Sequence, residues 1–119
     1  AIARGSIDAG HNLGHMYRWG LGVARDFEKA RELFQLAVDR GDALAPNNLA
    51  NLYVDGLGVA KDMLKAKELY EIGVEKGDKS AACNLGNMYH DGLAVAQDFQ
   101  KARELYEMAI ARGSAEAAA

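Results

Sequence analysis

Threonine is absent from this 119-residue chain, and proline and cysteine occur once each, as Pro46 and Cys83. A single cysteine excludes an intramolecular disulfide. The missing threonine, and the lack of any stretch alternating apolar and polar residues at period two, argue against β-strands. No apolar run reaches transmembrane length, so no membrane span is expected. Neither sign of charge is concentrated. Fourteen Lys and Arg are interspersed with 17 Asp and Glu for a net charge of −3, which leaves no basic footprint for nucleic acid or an anionic membrane surface. Neither is an expected partner. These residues contain no signal peptide, and the chain begins without Met. Cytoplasmic and periplasmic or other extracytoplasmic locations therefore both stay open.

What is present is repetition. Half of the residues are hydrophobic, enough for one small folded domain spanning 1–119. Leu13, Leu49 and Leu85 are spaced by 36, as are Tyr17, Tyr53 and Tyr89, Gly20, Gly56 and Gly92, Asp26, Asp62 and Asp98, and Gly41, Gly77 and Gly113. A constant period of this size is the mark of a repeat array. The copies read as 7–42, 43–78 and 79–114, with a partial repeat at 1–6 and the start of another at 115–119. "AIARGS" at 1–6 recurs at 109–114, so the chain reads as a segment of a longer array.

Each unit carries the signals of two helices. Ser6, Asp42, Asp78 and Ser114 are suited to N-cap a helix A, on which Ala9, Leu13, Met16 and Tyr17 recur at helical spacing. Pro46 falls in a first turn, where its missing N–H is tolerated. Gly20, Gly56 and Gly92 are expected to end helix A in the left-handed conformation. Asp26, Asp62 and Asp98 then cap helix B, whose stripe in the first copy is Phe27, Ala30, Leu33, Phe34, Ala37 and Val38. Gly41, Gly77 and Gly113 are expected to stop helix B. Helices are predicted near 7–19, 27–40, 43–55, 63–76, 79–91 and 99–112, with a frayed or short helical piece at each end. The Leu and Val of each connecting loop are expected to plug the gap between the two helices.

The pattern "AxxNLGxMYxxGxGVxxDxxKAxELxxxAxxxG" resembles the Sel1-like repeat family, a relative of the tetratricopeptide repeats, over nearly the whole chain. The resemblance implies an all-α fold, a right-handed α-α superhelix (solenoid), and a role in binding proteins within signalling, secretion-associated and quality-control complexes. Some members staple each repeat with a disulfide, and this chain lacks those cysteines. It departs again at Ala94, where the family prefers glycine. If the backbone there has positive φ, alanine strains the third loop by roughly 1 kcal/mol.

The loops "GLGVARD", "GLGVAKD" and "GLAVAQD" superficially suggest a phosphate-binding turn. A dinucleotide loop needs a preceding strand and a third glycine, and neither is present, so the loops read as joints of the stack. His11 and His15, at i and i+4 with Asp8 one turn earlier, have a spacing known from transition-metal sites. Two ligands are too few, and no metal or other cofactor is expected. The serines stand near helix starts, Cys83 has no activating neighbour in sequence and no carboxylate pair stands apart from the caps, so no catalytic residue is assigned.

At about 100° per residue, Asp8, His11, His15, Arg18 and Trp19 share a face of the first A helix opposite the packed stripe. Their counterparts are Leu44, Asn47, Asn51, Val54 and Asp55, then Ser80, Cys83, Asn87, His90 and Asp91. This is the face that varies between copies. By resemblance to tetratricopeptide arrays it lines the concave groove, and a protein or extended peptide is the expected partner. Asn12, Asn48 and Asn84 border it without varying. In related superhelices such asparagines hold a peptide backbone, and the alternative is that each amide satisfies backbone groups of its neighbouring repeat. The candidate contact residues are therefore His11, Asn12, His15, Arg18, Trp19, Asn47, Asn48, Asn51, Asp55, Asn84, Asn87, His90 and Asp91, with Trp19 expected to be substantially exposed. The rival reading is a purely structural repeat segment, or a designed array with no ligand of its own. Phe99, Leu105, Met108 and Ile110 are expected to leave apolar surface uncovered at the C-terminal end, favouring weak head-to-tail self-association.

Overall fold

The computed structural model describes the backbone of residues 4–118 and the side chains of residues 9–113. Among them are six helices and no strand: α1 (Arg4–Trp19), α2 (Phe27–Asp39), α3 (Ala45–Asp55), α4 (Met63–Glu75), α5 (Lys79–Asp91) and α6 (Phe99–Ala118). Helices α1, α3 and α5 are the predicted A helices, and α2, α4 and α6 the B helices. Each packs chiefly on its neighbours in the chain, with a further contact between α3 and α5. The result is an all-α solenoid.

The joints form as their residues dictate. Gly20, Gly56 and Gly92 have φ of 68°, 66° and 69°, and the next N–H turns back on the helix, as in Leu57 N–H to the Leu52 carbonyl at 2.9 Å, which satisfies a carbonyl the helix end leaves open. Each loop then closes on the same helix through Asp26 to Tyr17, Asp62 to Tyr53 and Asp98 to Tyr89. Those aspartates cap the B helices, accepting from Lys29, Lys65 and Lys101 N–H. Asp78 caps α5 through Ser80 N–H.

Four details depart from expectation. Helix α1 already runs from Arg4, so Ser6 lies inside it instead of capping it. The N-cap of α3 is Leu44, and Asp42 reaches forward from two residues earlier to accept Ala45 N–H at 2.6 Å. Helix α6 continues through Gly113 and Ser114 to Ala118, so neither the stop nor a separate C-terminal piece forms. Gly41 and Gly77 take φ of 90° and 92° where the chain must turn into a docked A helix. After Gly113 the sequence is alanine-rich, the strongest helix former, and helix simply propagates. Finally, of the loop leucines only Leu57 packs against the core, while Leu21 and Leu93 are exposed.

The core follows the predicted stripes. Leu49, Leu52, Leu85 and Met88 on α3 and α5 are buried with Ala30, Phe34, Ala66, Leu69, Tyr70 and Leu105 from the B helices. Close approach sets what stands beneath each aromatic. A Cβ at Gly14 would fall 2.7 Å from the Phe34 ring, and one at Gly86 2.9 Å from Tyr106. The same stripe on α1, Leu13 and Met16, is exposed, with no B helix among the described residues on its outer side, and Phe99 and Ile110 on α6 are 61% and 69% exposed.

Candidate functional site

The A helices carry their variable residues on one side because the opposite stripe is held by the B helices. On α1, His11 and His15 stack edge to face, ring centroids 5.0 Å apart, and His15 meets the Phe34 ring in the same way at 5.7 Å. Burial, and then the neighbouring His11 and Arg18, push the His15 pKa below the ordinary 6.5, so its imidazole is neutral near pH 7. His11 Nδ1 stands 3.4 Å from Asp42 Oδ2 and 3.5 Å from Asn48 Nδ2. One repeat later the same relation recurs without an ionisable group, as Asn84 donates from Nδ2 to Asn47 Oδ1 at 2.8 Å.

The amides of Asn48 and Asn84 therefore reach a side chain of the preceding repeat. This is the neighbour-satisfying role, with side chains in place of backbone as the partner. It occupies amide hydrogens and leaves each Oδ1 as an acceptor. Asn12 is exposed. Asn47, a candidate contact residue, is buried, at 8% exposure. A cleft of about 170 Å³ runs across all three repeats here, lined by His11 and His15, by Leu44, Asn47 and Asn48, and by Asp78 and Ser80.

Farther along the A helices, Trp19 is 57% exposed, as expected. Arg18 is not splayed into solvent. Its guanidinium lies 4.4 Å from the Trp19 ring centre and 5.9 Å from that of Phe27, with Nη2 3.9 Å from Asp55 Oδ2. Arg18 and Asp55 are thus brought together across the first junction. His90 and Asp91 pair with each other at 2.9 Å at the exposed end of α5, where His90 also meets the Phe99 ring.

Asn51 and Asn87 have partners that single-residue inspection missed. Tyr70 donates its hydroxyl to Asn51 Oδ1, and Tyr106 donates to Asn87 Oδ1. Burial first, then the charge of Asp55, raises the Tyr70 pKa well above its usual value, so the hydroxyl stays a donor. In the first repeat the same positions hold His15 and Phe34. The exchange of both positions together was the available signal.

Among the described residues no group of three or more His, Cys, Asp or Glu is placed to hold a metal ion, and no helix is long and apolar enough to cross a membrane. Asp8 lies outside the described side chains. Cys83 is a free, exposed thiol.

A family model described as Sel1 repeat matches residues 7–42, 43–78 and 79–114. Among solved structures, the chain is similar to a Sel1 repeat protein from Oxalobacter formigenes, with TM-score 0.83 and 27% identity over 89% of this chain and 44% of that one. It is similar to c5321, a protective antigen of uropathogenic Escherichia coli strains displaying an SLR fold, with TM-score 0.86 and 31% identity over 92% of this chain and 24% of that one. Its likeness to Helicobacter pylori cysteine rich protein B, with TM-score 0.76 and 21% identity over 97% of this chain and 88% of that one, bears on the fold alone. The chain spans less than half the length of the first two. No curated protein matches it. Proteins of this repeat type are generally interaction scaffolds. With three matched repeats in register and their helical pairs stacked as the period requires, the chain belongs to the Sel1 repeat family.

Proposed function

We propose that this chain is a non-catalytic scaffold that binds an extended peptide, or an extended segment of a partner protein, along the concave face formed by α1, α3 and α5. The reading is carried by the cleft that crosses all three repeats, with polar side chains of each at its wall. An extended backbone presents donors and acceptors at regular intervals, and Asn48 and Asn84, one repeat apart, each keep an Oδ1 to meet its N–H groups. Trp19, exposed and backed by Arg18, supplies a large apolar contact of the kind that dominates interfaces. His11, His15, Asn47, Asn51, Asn87, His90 and Asp91 set the chemistry along the face. Head-to-tail stacking of copies belongs to the same proposal, using Leu13 and Met16 at one end and Phe99 and Ile110 at the other.

Selection of a random octapeptide display library on the immobilised chain tests the reading. Peptides should be enriched, and their binding should fall at least about tenfold with Trp19→Ala and with Asn48→Ala. Enrichment indifferent to both substitutions would place binding elsewhere. No enrichment would favour a purely structural segment.

A further inference from the structure

The two junctions between repeats differ where the A helices end. At the first, Arg18 leaves α1 and lies over Phe27, the first residue of α2, with its guanidinium 3.9 Å from Asp55 at the end of α3. Its side chain is only 15% exposed, so it fills the space between the two A helices. One period later Arg18 becomes Val54, Phe27 becomes Met63 and Asp55 becomes Asp91. Valine stops short. A cleft of about 140 Å³ stands there, walled by Val54, Met63, Met88 and Leu93, with Asn84, Asn87 and Tyr70, whose hydroxyl is given to Asn51, on its polar side.

We propose that this cleft between α3 and α5 receives an arginine side chain of the bound peptide, in the place that Arg18 fills from within the chain at the first junction, and that Asp91 pairs with it. The proposal rests on the reading that the A-helix face binds peptides.

Four observations select the occupant. The volume suits one long side chain and is well below the ~300–1,000 Å³ of drug-sized sites. The walls are apolar and include two methionines, whose polarisable thioethers suit the flat, weakly hydrated faces of a guanidinium better than a compact ammonium. The polar side includes acceptors. Asn84 Oδ1 is left as an acceptor when its amide hydrogen goes to Asn47, and Asn87 Oδ1 keeps a second lone pair beside the Tyr106 hydroxyl, which a group that only donates can use. Negative charge stands next to the lining residues in sequence, where Asp55 follows Val54 as Trp19 follows Arg18, and Asp91 repeats Asp55 at the end of α5, outside the cleft's own lining. His90 occupies one oxygen of Asp91 and leaves the other for a partner.

The test is an octapeptide display library selected at pH 7.5 on the wild-type chain, on Val54→Arg and on Asp91→Asn, with the fold of each variant checked by thermal melting. Val54→Arg copies the first junction and should plug the cleft. Asp91 is exposed, so Asp91→Asn keeps the test valid if the first variant fails to fold. Wild-type selection should enrich arginine at one fixed position. In a synthetic consensus peptide, arginine to norleucine should weaken binding at least about tenfold. Asp91→Asn should do the same to the arginine peptide, and Val54→Arg should bind both peptides equally weakly. Enriched peptides with no fixed arginine, or affinities that neither substitution moves, would overturn the arginine site and leave the peptide-binding reading intact. Failure of the wild-type chain to enrich any peptide would overturn both.

Discussion

Tyr70 reaches across from α4 to donate its hydroxyl to Asn51 on α3, and Tyr106 repeats the contact to Asn87 from α6 to α5. The first repeat keeps the contact and changes its chemistry, with Phe34 edge-on to His15. The bond therefore ties the variable side of the A helix to the B-helix aromatic of its own repeat.

Removing the hydroxyl should cost about the net value of one hydrogen bond, ~1 kcal/mol, because Asn51 is left without its donor. Tyr70→Phe, Asn51→Ala and the double variant, measured by urea denaturation, form a cycle whose coupling should be at least ~0.5 kcal/mol. Strictly additive losses would show that the contact does not contribute to stability.

Ala94 has φ of 61° and is the sole described residue other than glycine with positive φ. Ala94→Gly should stabilise the chain by about 1 kcal/mol by removing the steric cost of the left-handed conformation. Its counterpart Gly58 is more constrained, since a Cβ there would fall 2.6 Å from the Phe27 backbone. Gly58→Ala should destabilise by more than ~1 kcal/mol. Denaturant midpoints check both, and a destabilising Ala94→Gly would contradict the assignment of strain.

The period, the helix pairs, the left-handed glycines and the aspartate caps were legible because each depends on a few neighbouring residues whose chemistry repeats. The run of α6 past Gly113 was not, because a glycine stops a helix only when the following chain has a better place to go, as after Gly41 and Gly77. At the candidate site, the face was legible from helical spacing alone. That Arg18 would lie over Trp19 and Phe27 near Asp55, and that Val54 would leave a cleft in its place, depends on how far α1, α3 and α5 stand apart. Helical periodicity within one repeat does not specify that separation.

His15 links stability to pH. Its pKa is depressed in the folded chain, first by burial and then by His11 and Arg18, so as pH falls below about 6.5 the unfolded chain takes up a proton before the folded one does. The contribution is complete above that pH and is lost as pH falls toward the folded value. His15→Asn, the residue type of the other two repeats, should flatten the loss of stability between pH 7.5 and 5.5 in urea melts. An unchanged slope would show that His15 is not the group responsible.

Binding of partners on the face of α1, α3 and α5, as proposed, can be read residue by residue by backbone amide mapping in NMR. The labelled chain would be titrated with a consensus octapeptide from the library. Shifts should concentrate at His15, Asn48, Asn51, Asn84 and Asn87 and at the indole of Trp19, while the exposed Glu32, Glu68 and Glu104 on the B helices stay still. Shifts centred on those glutamates, with the A helices silent, would contradict it.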